Sequence, residues 1–148
     1  MTDLKTKAQN SMDEARTLIL GAQILLGVLT RAVFEPGYKK LPDVSKYLVV
    51  VALALIAVAV TVLIMPAPYH HIAEEGRDTE RFNNFVRKVM YAGLVPFALS
   101  FGIALYVATQ IVADSWIAPM AGALTAALAL FFWYGMGFVR PAAGARSR

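Results

Sequence analysis

The chain contains no cysteine among its 148 residues. That excludes disulfides, thiolate metal sites, iron–sulfur clusters and a cysteine nucleophile. Charge is also scarce. Asp, Glu, Lys and Arg make up 16% of the residues, where soluble domains carry about 25%. Hydrophobic residues reach 58%, above the roughly 45–50% usual for soluble domains, and the mean hydropathy is +0.57. A disordered chain, a coiled coil and an ordinary cytosolic enzyme of this size are excluded, and the length leaves room for one domain.

What is present is a set of long apolar runs. A helix needs about 20 mostly apolar residues to cross a hydrocarbon core roughly 30 Å thick. Four stretches qualify: Thr17–Phe34, interrupted by Gln23, Thr30 and Arg31, and the uncharged runs Tyr47–Met65, Val89–Ala113 and Trp116–Val139. Transmembrane strands alternate apolar and polar residues over about ten positions, whereas Val49–Val60 is apolar throughout. The predicted fold class is therefore all-α, an integral membrane bundle of four transmembrane helices in one domain. The helices are expected at about 12–35, 45–66, 80–113 and 116–140.

Local signals mark the ends. Ser11 to Glu14 is a capping-box pattern that would start helix 1, and Pro36-Gly37 would end it. Asp43 or Ser45 can cap helix 2, and Pro66 and Pro68 stop it. Asp114 or Ser115 can cap helix 4, with Pro119 in its first turn. Phe82, Phe85 and Val89 form one apolar stripe, which predicts that helix 3 begins before the membrane, with an amphipathic lead-in lying at the interface. Pro96 is expected to kink that helix. The first apolar run continues into Arg31 and Glu35 without a small-residue cleavage pattern, so it is expected to stay as a helix.

The fourteen Lys and Arg residues set an orientation. Lys5, Lys7 and Arg16 precede span 1; Arg31, Lys39, Lys40 and Lys46 lie between spans 1 and 2. Arg77, Arg81, Arg87 and Lys88 lie between spans 2 and 3, and Arg140, Arg146 and Arg148 follow span 4. With both termini inside, ten of the fourteen are cytoplasmic, as the positive-inside rule favours. Tyr47, Trp116, Trp133, Tyr134 and Phe138 sit near span ends as an aromatic belt would. The net charge of +4 calls for anionic lipid headgroups as the partner and for no nucleic acid.

Polar groups at membrane depth are the functional candidates. Gln23 can bond a neighbouring helix or line a proton or cation path. Arg31 and Glu35 are four residues apart and can pair on one face. Ser100, Thr109 and Gln110 read as packing or interface residues. No Asp or Glu lies within the core of a span, which argues against a carboxylate-driven antiporter. The densest cluster runs from Pro66 to Glu75. There His70–Glu74 and His71–Glu75 would be i, i+4 pairs in a helix, a pattern that could form a pH switch or hold a divalent metal. Its spacing matches no strong zinc signature, so a solvated cap at the inner end of helix 2 is the expectation, with no metal and no cofactor. Small residues recur four apart at Ser100, Ala104 and Ala108, and at Ala118, Gly122 and Ala126, as close helix packing in lipid requires.

Glu14-Ala-Arg16 ahead of span 1, Gln23 inside it and the Pro66-Ala-Pro-Tyr-His70 exit from span 2 resemble the bacterial four-helix membrane proteins of the DUF6328 family, over roughly residues 12–112. Similar proteins carry Arg after that His, where this chain has His71. The resemblance implies a bacterial cytoplasmic-membrane protein and carries no established activity; some similar proteins are labelled sodium/proton antiporters. By position it points to Glu14, Arg16, Gln23 and His70. The expected function is a non-catalytic accessory, scaffold or oligomeric membrane subunit, not an enzyme, partnered by the bilayer and by further copies or a larger complex. The alternative is a proton- or cation-coupled transporter. The orientation is directly testable: a topology reporter fused after Arg148 should read as cytoplasmic, and a periplasmic signal would reverse the assignment.

Overall fold

A computed structural model of the chain describes residues 2–72, 80–113 and 116–138. Six helices follow one another: α1 Thr2–Ala32, α2 Pro36–Lys39, α3 Asp43–Ile64, α4 Pro66–Ile72, α5 Glu80–Val112 and α6 Ile117–Phe138. No strand occurs among the described residues. Four of the helices are long and apolar enough to cross a membrane: α1, α3 running on into α4, α5 and α6. The all-α, four-span architecture is the one the apolar runs predict.

The helix ends differ from the local signals in instructive ways. α1 begins at Thr2, so Ser11 and Glu14 lie inside it and do not mark its start. The preceding residues Leu4 to Asn10 contain no glycine or proline, and the helix propagates back through them. Pro36 does not simply stop a helix; it heads α2, where a missing N–H costs nothing. Pro42 occupies the cap position of α3, and its carbonyl accepts the Ser45 and Lys46 amides at 2.9 and 3.1 Å. Asp43 sits in the first turn, where its charge complements the helix dipole. Neither Asp43 nor Ser45 serves as the side-chain cap. α3 ends at Ile64, and Pro66 starts α4. Pro119 falls in the first turn of α6; Asp114 and Ser115, the expected cap residues, lie outside the described residues.

The amphipathic lead-in forms the first turns of α5, as expected of a helix that begins before the membrane; α5 runs unbroken for 33 residues with Pro96 inside it. Its apolar stripe is packed: Phe82 and Val86 are fully buried, and Tyr69 of α4 stacks on Phe85 at 4.2 Å and on Phe82 at 6.4 Å between ring centroids.

α5 is the central helix. It packs against α3, α6 and α1, and α1 also packs against α3. α3 and α5 are antiparallel, since Ser45 meets Gln110 near one end and Leu63 meets Gly93 near the other. The main core is built from Ala22, Leu29, Ala52, Ile56 and Ala59, with Phe97, Ile103 and Ala104 against them. A second cluster, Leu41, Val49 and Val107, closes the end where α1 finishes and α3 begins. Lipid tails are as apolar as these side chains, so helix association rests on close van der Waals fit, and alanine at the contacts permits it.

The two small-residue stripes do not meet each other. Ser100 and Ala104 turn toward α3 and the core, and Ala108 is exposed. Ala118, Gly122 and Ala126 face α5, where the opposing residue is Gly102. A Cβ on Gly102 would lie 2.8 Å from both the Ala126 Cβ and the Gly122 carbonyl oxygen; one on Gly122 would lie 2.7 Å from the Tyr106 Cβ. Backbone meets backbone here, so no side-chain rotation can relieve the contact. Gly122→Ala should therefore destabilise the protein by about 1–3 kcal/mol, the usual cost of overpacking, and Gly122→Leu by more. Gly135→Ala, whose Cβ would meet only ordinary contacts at 3.8 Å, should be near neutral. Unfolding in mixed micelles measures both.

Candidate functional site

The polar residues singled out by sequence do not converge. Glu14 and Arg16 are exposed on α1, and Arg16 pairs with Asp13 at 3.3 Å. Arg31 and Glu35 do pair, Nε to Oε1 at 3.3 Å, with side chains 83% and 55% exposed. Exposed pairs of this kind contribute about 0–1 kcal/mol. Gln23 is exposed on α1 and has no hydrogen-bond partner among the described residues. It neither bonds a neighbouring helix nor lines the interior of the chain. The side chains of His70 and His71 lie outside the described residues, as do Glu74 and Glu75 entirely, so the histidine–carboxylate pairs have no described geometry.

The polar groups that do converge come from α3 and α5. Ser45 is fully buried one turn into α3. Its hydroxyl donates to the Gln110 Oε1 in a short contact. The Gln110 Nε2 donates to the Tyr106 hydroxyl at 3.2 Å. The Tyr106 hydroxyl lies 3.4 Å from the Ser45 Oγ. With Ser45 committed as donor to Gln110, the Tyr106 hydroxyl closes the circuit by donating to Ser45. Each of the three groups then gives one hydrogen bond and accepts one, and a closed ring of this kind is mutually reinforcing.

The helices place these groups for simple reasons. Tyr106 and Gln110 are four residues apart and share a face of α5. Ser45 is the third residue of α3, inside the first turn, on the face that meets α5. Further into the bundle Val49, Ala52, Ile56 and Leu63 are at most 1% exposed, so the polar ring ends abruptly against an apolar seam. The next buried polar group, Ser100, donates to the Ala52 carbonyl at 2.9 Å and is satisfied. A groove of about 300 Å³ runs beside the ring, lined by Leu48, Leu99, Ile103, Pro119 and Ala123. Tyr106 also borders it, but its hydroxyl belongs to the ring. The arrangement links α3 to α5 through side-chain hydrogen bonds.

Sequence reasoning did not link these residues. Gln110 reads as a packing or interface residue, and Tyr106, which it misses, could have been found by its i, i+4 spacing to Gln110. Ser45 reads as a helix cap, and no one-dimensional signal ties it to a residue sixty-five positions away. At the other end, the Tyr134 hydroxyl donates to the Tyr91 carbonyl in a similarly short contact that ties α6 to α5.

Fold and site together define a small all-α protein of four helices able to cross a membrane, with Ser45, Tyr106 and Gln110 closed on one another between α3 and α5. The chain belongs to DUF6328, a family of unknown function whose model matches residues 4–137. No curated protein and no solved structure matches it.

If the ring is a clamp, its members act as a unit. Ser45→Ala or Tyr106→Phe should each destabilise by about 1–3 kcal/mol, because each leaves a buried or half-buried partner unsatisfied. The double variant should cost clearly less than the sum, since the second change removes a group already orphaned. A double-mutant cycle on unfolding free energy checks this; simple additivity would show that the three groups do not couple.

Proposed function

We propose that this chain is a non-catalytic subunit or scaffold of the bacterial cytoplasmic membrane, assembled as an oligomer or within a larger membrane complex, with both termini on the cytoplasmic side. The carrying observation is the contrast between interior and exterior. Inside, the buried polar groups Ser45 and Ser100 are hydrogen-bonded within the chain, and the seam between them is apolar. Outside, α1 and α6 are scarcely covered: 17% and 11% of their apolar windows are buried, against 28% for those of α3 and α5. An interior without a polar file across the seam suits a structural helix bundle better than an ion path, because an ion crossing hydrocarbon needs groups to replace its water. The uncovered flanking helices supply lateral surface for assembly. The bacterial membrane is the setting the family resemblance implies, and the orientation rests on the distribution of Lys and Arg.

The test uses purified chain in sealed lipid vesicles together with chemically stabilised complexes from native membranes. Proton, sodium and potassium flux should match that of empty vesicles, and the chain should be recovered in a species of defined size larger than one copy. Flux that scales with protein content would overturn the reading in favour of a cation transporter.

A further inference from the structure

We propose that α1 is a self-association helix: the seam Leu20, Gln23, Gly27 and Thr30 docks on the same seam of a second copy, with the two Gln23 carboxamides hydrogen-bonded to each other across a two-fold axis. The proposal rests on the reading of the chain as a membrane subunit and names the surface and partner of that assembly.

Gln23 lies near the middle of the α1 span, Gln9–Ala32. It is exposed and without a partner among the described residues. Hydrocarbon offers a carboxamide neither donor nor acceptor, so at this depth the group is costly until a protein group meets it. Three threonines of α1 and α3 are closed locally. Thr17, Thr30 and Thr61 donate to the carbonyls of Asp13, Leu26 and Ala57, four residues back on their own helices. Gln23 has two N–H donors and an acceptor, and no such closure. A second carboxamide is its natural complement, because each amide can donate to the other's oxygen. A two-fold interface brings identical groups together in that way.

The surface around Gln23 fits a second helix. Gly27, one turn on, is exposed, and a Cβ there would meet nothing within 4 Å. It therefore packs against nothing in its own chain and leaves a notch for a neighbouring backbone. Arg16, Gln23 and Thr30 are seven apart, and so are Leu20 and Gly27; all five are exposed. Spacings that alternate four and three keep one face turned to a partner along a left-handed crossing. The same helix shows what such a seam does when occupied: Ala15, Ala22 and Leu29, also seven apart, are buried. Charge permits a parallel match. Asp13 and Arg16 stand together at one end of the seam, and Arg31 and Glu35 at the other, so each end offers both signs and can pair across the axis.

Because the chain has no native cysteine, single cysteines report neighbours cleanly. In membranes holding the full chain, Leu20→Cys and Gly27→Cys should each oxidise to a disulfide-linked dimer. Leu124→Cys on the exposed face of α6 should not. In vesicles, dimerisation read by energy transfer between labelled copies should weaken about three- to tenfold in Gln23→Leu, the range that one interhelical polar contact gives, and recover in Gln23→Asn. Gln23 faces outward, so Gln23→Leu is not expected to disturb folding, and the cysteine variants keep Gln23 intact in any case. Cross-linking through α6 alone, or through α1 to a different protein, would overturn this proposal and leave the subunit reading standing. A chain that stays monomeric at every protein-to-lipid ratio would overturn both.

Discussion

The close approach of backbones to α5 is the constraint on which the rest of the structure depends. One helix can serve three neighbours in an apolar solvent only if its surface is low where they cross. Gly102 meets Gly122 of α6 at a spacing no Cβ could occupy, and a Cβ on Gly93 would sit 2.8 Å from the Leu63 side chain of α3. The alanines of the α1–α3 contact, Ala22, Ala52 and Ala59, continue the same principle. Because lipid gives no net drive to bury one apolar side chain against another, the fit itself holds the bundle together.

Polar groups are then arranged around that packing. Where α3 and α5 run side by side, Ser45, Tyr106 and Gln110 close on themselves, and Ser100 uses a backbone carbonyl. These bonds fix the axial register of the two helices, which small apolar contacts leave free to slide. At the other end Tyr69 stacks on Phe85, and the Tyr134 hydroxyl bonds the Tyr91 carbonyl. Thus both ends of α5 are pinned by directional contacts, and its middle is held by shape.

The functional reading follows from where satisfaction stops. The buried hydroxyls of Ser45 and Ser100 are satisfied within the chain, and Gln23 on the surface of α1 is not. A bundle satisfied at its buried hydroxyls and unsatisfied at a surface carboxamide is suited to assembly with other helices. Membership of DUF6328 places this pattern in a family whose members can be compared on that surface directly.

Much of the fold was legible in the chain by itself. Apolar run length determines the number of spans, since crossing hydrocarbon demands about 20 apolar residues whatever the partners are. The Arg31–Glu35 pair was legible too from its spacing of four, although α1 ends at Ala32 and Glu35 reaches back to Arg31 from the turn beyond it. The proline signals marked breaks correctly but not what followed them: Pro36 and Pro66 each head a new helix. The tertiary structure alone decided that Ser45 would leave the cap and join Tyr106 and Gln110. It also set Gly102, rather than the Ser100 stripe, against Gly122, and turned Gln23 away from its own bundle. Each depends on the rotation of one helix about its axis relative to another. Periodicity specifies which residues share a face, but the face chosen is settled only when neighbouring helices compete for the same close contact.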